Sequence, residues 1–176
     1  MKKVYILLMQ SWSIPSRVIK ALTRYQYSHV ALALEEDCYT TYSFGRLKTH
    51  NFLVGGFAVE KQDGPFFSYF DNTGCRIYEL SVTDEQYENI RNRIEKMLAN
   101  KSAYKYDYFG VFMNLFGIPP RFRNRYVCSS FVAEVLNESG AYNFNKNTAL
   151  AKPRDFLEIP YDRMVYEGLY RDYKMI

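Results

Sequence analysis

The hydrophobic pattern of the chain switches between a period of two and a period near 3.6. Val4 to Met9 is an unbroken apolar run of strand length, which reads as a buried strand. Ser13-Ile14-Pro15 follows as a helix start, with Ser13 as cap and Val18, Ile19 and Leu22 on the inner face of a helix running to about Tyr25. His29 to Leu34 is a second strand. Glu35-Glu36-Asp37 turns the chain, and Cys38 to Phe44 returns as the hairpin partner, with Gly45 ending it. Phe52 to Glu60 and Arg76 to Val82 predict further strands, joined by a Gly, Pro and Asn-rich connection from Asp63 to Gly74. Thr83 to Gln86 has the spacing of a capping box, and Tyr87, Ile90, Ile94, Met97 and Leu98 then fall on one helical face. Tyr104 to Phe116 is an aromatic segment with part-helical character, broken by Gly117-Ile118-Pro119-Pro120. A last helix starts near Cys128, carries Phe131, Val132, Val135 and Leu136 as its stripe and ends at Gly140, before an irregular tail marked by Pro153, Pro160 and Gly168. These elements predict an α+β fold with a mainly antiparallel sheet packed against helices.

Length makes the prediction more specific: 176 residues suit one domain, residues 1–176, with a sizeable core. The net charge of +4 comes from 23 basic and 19 acidic residues without long basic runs, a balance that argues against nucleic acid as a partner. Three widely spaced cysteines, Cys38, Cys75 and Cys128, form neither a disulfide framework nor a CxxC metal or redox motif. That points to a reducing compartment, the cytoplasm, and to no cofactor or metal. Met1-Lys2-Lys3 and the following apolar run imitate a signal peptide, but only six apolar residues precede Gln10. No run approaches the ~20 apolar residues of a transmembrane helix, so membrane contact is expected at most at the periphery.

The residue types that carry chemistry are few. A cysteine attacks carbonyls as its thiolate, and the positive end of a helix favours that form. Cys128 is placed at such an end, with Arg121, Arg123 and Arg125 just upstream adding positive potential and backbone N–H groups able to hold an oxyanion. The bland alternative is a small core residue at a helix start, since unpaired cysteines are often simply buried. Of the two histidines, His29 opens an apolar strand from which a ring can reach a helix terminus, whereas His50 sits in the polar stretch Lys48 to Asn51. Taken alone, His29 reads as a core-edge histidine; together with Cys128 it reads as a base.

Tyr27-Ser28-His29-Val30-Ala31-Leu32-Ala33-Leu34, followed much later by Val127-Cys128-Ser129-Ser130-Phe131-Val132-Ala133-Glu134-Val135-Leu136, resembles the circularly permuted branch of the NlpC/P60 papain-like superfamily, with its YiiX-like proteins and relatives of lecithin:retinol acyltransferase. In that branch the histidine strand precedes the cysteine helix, the reverse of papain. Tyr42 to Arg46, Gly55-Gly56-Phe57 with Glu60, and Lys152 to Phe156 are also similar to segments of bacterial members. The resemblance implies a third polar residue on the strand paired with the histidine strand. Ser43 is the topological match, although relatives carry an acid or a histidine there, and Glu60 on the next strand is the other choice.

The chemistry so implied is acyl transfer: His29 deprotonates Cys128, the thiolate attacks a carbonyl, and the acyl-enzyme is released to water or a second nucleophile. The hydrolase relatives imply a small peptide, a cell-wall-derived fragment or a related amide as substrate; the acyltransferase relatives imply a lipid ester or amide. The rival of another class is a non-catalytic module that binds lipid or peptide on the same fold. In each case the groove is expected between the aromatic segment Tyr104 to Phe116, with Tyr106 and Tyr108, the arginines at 121, 123 and 125, and Lys152 to Phe156.

Overall fold

The computed structural model describes residues 1–10, 25–48, 51–120 and 122–174, the side chains of 52, 53 and 115 excepted. The helix expected from Ser13 lies almost wholly outside the described residues, as does His50.

Strand β1 (Lys2–Gln10) runs through the middle of the sheet because its apolar run is covered on both faces. It pairs antiparallel with β2 (His29–Ala33), Met9 opposite His29, and with β5 (Gly74–Val82), Lys2 opposite Val82. Val4, Ile6 and Leu8 face one layer and Tyr5, Leu7 and Met9 the other, which is why the run is continuous rather than alternating. β3 (Thr40–Lys48) and β4 (Asn51–Lys61) extend the sheet beyond β2, and two short strands, β6 (Lys105–Tyr106) and β7 (Arg125–Tyr126), close that side. The order of the described strands is β7, β6, β4, β3, β2, β1, β5 and β8 (Arg163–Leu169), antiparallel throughout except for the β6–β7 pair.

Helices cover both faces. α1 (Pro65–Tyr69) lies on the Tyr5 side, where Phe67 joins Tyr170 and Tyr173. α2 (Asp84–Ala99) lies on the other, with Ile90, Ile94 and Met97 buried; its capping box is formed, Gln86 N–H donating to Thr83 Oγ1 at 3.1 Å and Thr83 N–H to Gln86 Oε1 at 2.9 Å. α3 (Tyr108–Leu115) follows β6, and α4 (Cys128–Glu138) follows β7. Phe131, Val132, Val135 and Leu136 of α4 pack on Val30, Leu32, Phe44 and Phe57 of the sheet.

Several expectations change. Gly45 does not end its strand: β3 continues to Lys48 through a register shift after Arg46. Leu98, expected on the inner face of α2, is exposed. The connection after Asp63 contains α1, and the tail expected to be irregular contributes edge strand β8, paired with β5. That tail also closes the second layer, as Tyr170 donates its hydroxyl to the Cys38 carbonyl at 2.5 Å and Tyr173 to that of Glu36 at 2.8 Å.

Candidate active site

Cys128 opens α4, and the way that helix begins decides the sulfur's surroundings. Val127, the capping residue, is extended and has no side-chain acceptor to offer the first turn. Ser130 turns back instead, accepting Val127 N–H at 3.0 Å and donating to the Val127 carbonyl at 3.1 Å. The backbone N–H groups of Val30 on β2, of Ser129 and of Cys128 itself favour the thiolate. The three donors pull the thiol pKa down, yet burial is the larger influence and leaves it above the ordinary value. Cys38 and Cys75 are also buried and pushed up, with no such donors acting on them.

The expectation that the upstream arginines favour thiolate is corrected here. Arg123 and Arg125 are exposed, the Arg125 guanidinium stands over the Phe122 ring at 5.9 Å, and neither shifts Cys128. Arg121 lies outside the described residues. Solvent screens charges that point away from the sulfur, so proximity in sequence does not become potential at the site.

His29 directly precedes Val30 on β2, whose backbone N–H acts on the Cys128 thiol. Burial first, and Arg46 second, hold the imidazole down at about 4. Its Nε2 lies 3.1 Å from Ser43 Oγ on β3, and Ser43 Oγ in turn lies 2.7 Å from the Val30 carbonyl oxygen. A carbonyl only accepts, so the single hydroxyl proton of Ser43 goes to Val30. Nε2 must then donate to Ser43, which leaves the proton on Nε2 and a lone pair on Nδ1. Ser43 is therefore the polar partner of the ring.

Glu60 stands elsewhere. It lies opposite Thr41 on β4 and is pushed up to about 7 by burial, against the pull of Arg46 and Lys101. It lines a cleft of about 370 Å³ with Arg46, Lys61, Lys101, Pro65 and Phe66. Arg46 links the two places, acting on His29 as well as Glu60 and standing 5.1 Å from the Phe70 ring centroid. The sequence signal for Arg46 was its position three residues beyond Ser43, without a role attached.

Tyr106 is brought to the site, for its phenol is raised by burial and next by Cys128. Tyr108 packs against it with tilted rings, centroids 4.8 Å apart, and reaches solvent. Their approach needs Gly55, where a Cβ would fall 2.6 Å from both Tyr106 Cβ and the Tyr108 hydroxyl oxygen. The Lys152 to Phe156 segment does not line the groove as a whole. Asp155 and Phe156 are buried, Asp155 accepting from Lys152 N–H at 2.7 Å, and the preceding Ala151 carbonyl accepts from Ser129 Oγ at 2.6 Å. The Ala151 carbonyl, just before that segment, thus holds the first turn of α4.

Among the described residues no group of three or more His, Cys, Asp and Glu side chains is placed to hold a metal ion, and no helix is long and apolar enough to cross a membrane. No family model matches the chain, and no curated protein matches it.

Proposed function

We propose that this protein is a cysteine-dependent acyl-transfer enzyme, a hydrolase of amidase or peptidase type on a permuted papain-like fold, with Cys128 as nucleophile, His29 as base and Ser43 as the residue that orients the base. The observation that carries the reading is the relay from His29 Nε2 to Ser43 Oγ and on to the Val30 carbonyl, because it leaves the basic Nδ1 as the nitrogen free to take the thiol proton. Nδ1 receives that proton as sulfur attacks the substrate carbonyl, and the N–H groups at the start of α4 stabilise negative charge first on sulfur and then at the adjoining oxyanion. His29 returns the proton to the leaving amine, forming a thioester that water cleaves in a second round with the same base. Since Ser43 is neutral and burial lowers the imidazole while raising the thiol, the resting state is thiol and imidazole rather than an ion pair.

A small peptide or amide, such as a cell-wall-derived fragment, is the proposed substrate. A lipid ester or amide is the second reading, favoured by the exposed aromatic side chains of α3 close to Tyr106. Three free cysteines fit a cytoplasmic setting.

The test is intact-mass spectrometry after exposure to an activated acyl ester, followed by peptide mapping. The expected result is one acyl adduct on Cys128, absent from Cys128→Ala and formed far more slowly by His29→Ala. Acylation of Cys38 or Cys75 instead, or equal labelling in His29→Ala, would overturn the assignment and leave a binding module on this fold.

A further inference from the structure

An amphipathic helix in a globular protein normally turns its apolar stripe to the core. α3 does the reverse. Among its described side chains Gly110 and Asn114 are buried, the latter donating to the Ala149 carbonyl at 3.2 Å, and Val111 and Met113 are half-buried, while Phe109, Phe112 and Phe116, the residue that caps the helix, fall on one face that points outward. Phe109, Phe112, Phe116, Ile118 and Phe122 are 51–66% exposed. The rings are held against one another, Phe109 to Phe122 at 6.1 Å and Phe112 to Phe116 at 5.1 Å between centroids, so they form one patch rather than scattered side chains.

The exposed charges carried by this segment have one sign. Between Tyr104 and Val127 the only acid is Asp107, which is buried and spends one oxygen on Gly110 N–H at 2.7 Å. Lys105 and Arg125 stand side by side across the β6–β7 pair, and both are exposed, as is Arg123. Protruding aromatic rings with a cationic rim complement a surface that is anionic outside and apolar just beneath. A second copy of this chain would bring the same cations face to face across a two-fold interface, which disfavours self-pairing.

We propose that the α3 face, from Phe109 to Phe122 with Arg123, Arg125 and Lys105, docks the protein on an anionic lipid surface. The phenylalanines enter the acyl boundary and the basic side chains remain among the headgroups. Docking in this orientation sets Tyr108 and Tyr106, and through them Cys128, close to the lipid. The docking itself does not depend on the proposed chemistry.

The experiment is co-sedimentation of the full chain with vesicles of phosphatidylcholine alone or mixed with phosphatidylserine, at low and raised salt. The expected result is binding to the mixed vesicles that weakens as salt increases. Phe112→Ser with Phe116→Ser should lower the apparent affinity about tenfold or more, since each phenylalanine contributes its apolar burial. Arg123→Glu with Arg125→Glu should lower it on mixed vesicles and weaken the salt dependence. These side chains are exposed, so both variants keep their fold, checked by circular dichroism. Cys128→Ala should bind as the wild type does, which separates docking from catalysis. Failure of the wild type to bind mixed vesicles at low salt, or equal binding by both double variants, would overturn the proposal. A wild-type dimer in solution that Phe112→Ser converts to monomer would overturn it too, because a second copy would then cover the face.

Discussion

α3 and α4 begin alike and end up as opposites. Each follows a two-residue strand, Lys105-Tyr106 or Arg125-Tyr126, and the two strands lie parallel in register. Each then passes one residue before its helix. At α3 that residue is Asp107, whose carboxylate accepts Gly110 N–H at 2.7 Å; at α4 it is Val127, which has nothing to offer. The first helix start is closed by its own side chain. The second has no cap from its own Val127 side chain, and backbone N–H groups of its first residues favour the Cys128 thiolate. Their apolar faces also diverge, α4 burying Phe131, Val132, Val135 and Leu136 in the core while α3 and its cap Phe116 turn three phenylalanines to solvent. Similar local sequence logic thus yields a buried cysteine terminus in one case and an exposed aromatic face in the other. What differs is the layer against which each helix lies.

The sharpest way to break this contrast is at the open terminus. His29→Ala should slow acylation of Cys128 by about 10²- to 10⁴-fold, the usual worth of a positioned base, with the urea midpoint retained. In the wild type the alkylation rate should keep rising with pH through and beyond the range of an ordinary thiol, because burial holds the Cys128 pKa up. A plateau already present in mildly acid solution would mean a resting ion pair and would refute the neutral thiol and imidazole.

Next comes the difference between the two apolar faces. Phe131→Ala, which empties a site fully packed among Phe44, Phe57 and Tyr126, should cost about 3–5 kcal/mol in urea denaturation, whereas Phe112→Ala should stay within about 0.5 kcal/mol. Comparable losses at the two positions would show that α3 is packed after all.

Ser43→Ala tests the relay at smaller scale. Losing the acceptor for Nε2–H should lower the acylation rate about ten- to a hundredfold, and Ser43→Thr, which keeps the hydroxyl, should recover part of it. A pH profile adds a second handle on the same ring. Because His29 is held at about 4 against an ordinary 6.5, the unfolded chain takes up a proton before the folded one does. Stability should therefore fall as pH drops from 6.5 to about 4 and lose nothing further to this group below that, and His29→Gln should remove that share of the slope. The smallest expected effect is at the closed terminus, where Asp107→Ala should cost about 1 kcal/mol and leave Cys128 reactivity unchanged.

Much of this arrangement was legible in the pattern of the chain. The apolar run of β1, the capping box of α2 and the helix start at Cys128 are local signals, each carried by a few neighbouring residues, and each stands where it was expected. Ser43 was reached from the family resemblance, which implies a polar residue on the strand paired with the histidine strand, and its Oγ lies 3.1 Å from His29 Nε2. Other features left no local trace. β8 carries apolar and polar residues without clean alternation, because an edge strand buries only part of each face. Arg46 faces both His29 and the Glu60 cleft because β3 continues past Gly45, which normally reads as a strand end. The outward turn of α3 was invisible because a helical stripe of phenylalanines has the same period whichever way it faces.

Local order came from the chain's own pattern: where helices and strands begin, which residues cap them, and that a histidine strand precedes a cysteine helix. These depend on hydrogen bonds and side-chain spacing within one or two turns. Protonation and exposure were decided only in three dimensions, since the thiol of Cys128, the imidazole of His29 and the carboxyl of Glu60 take their charge from what surrounds them. Removing water from a charged group costs more than a neighbouring helix end or a nearby arginine in the sequence returns.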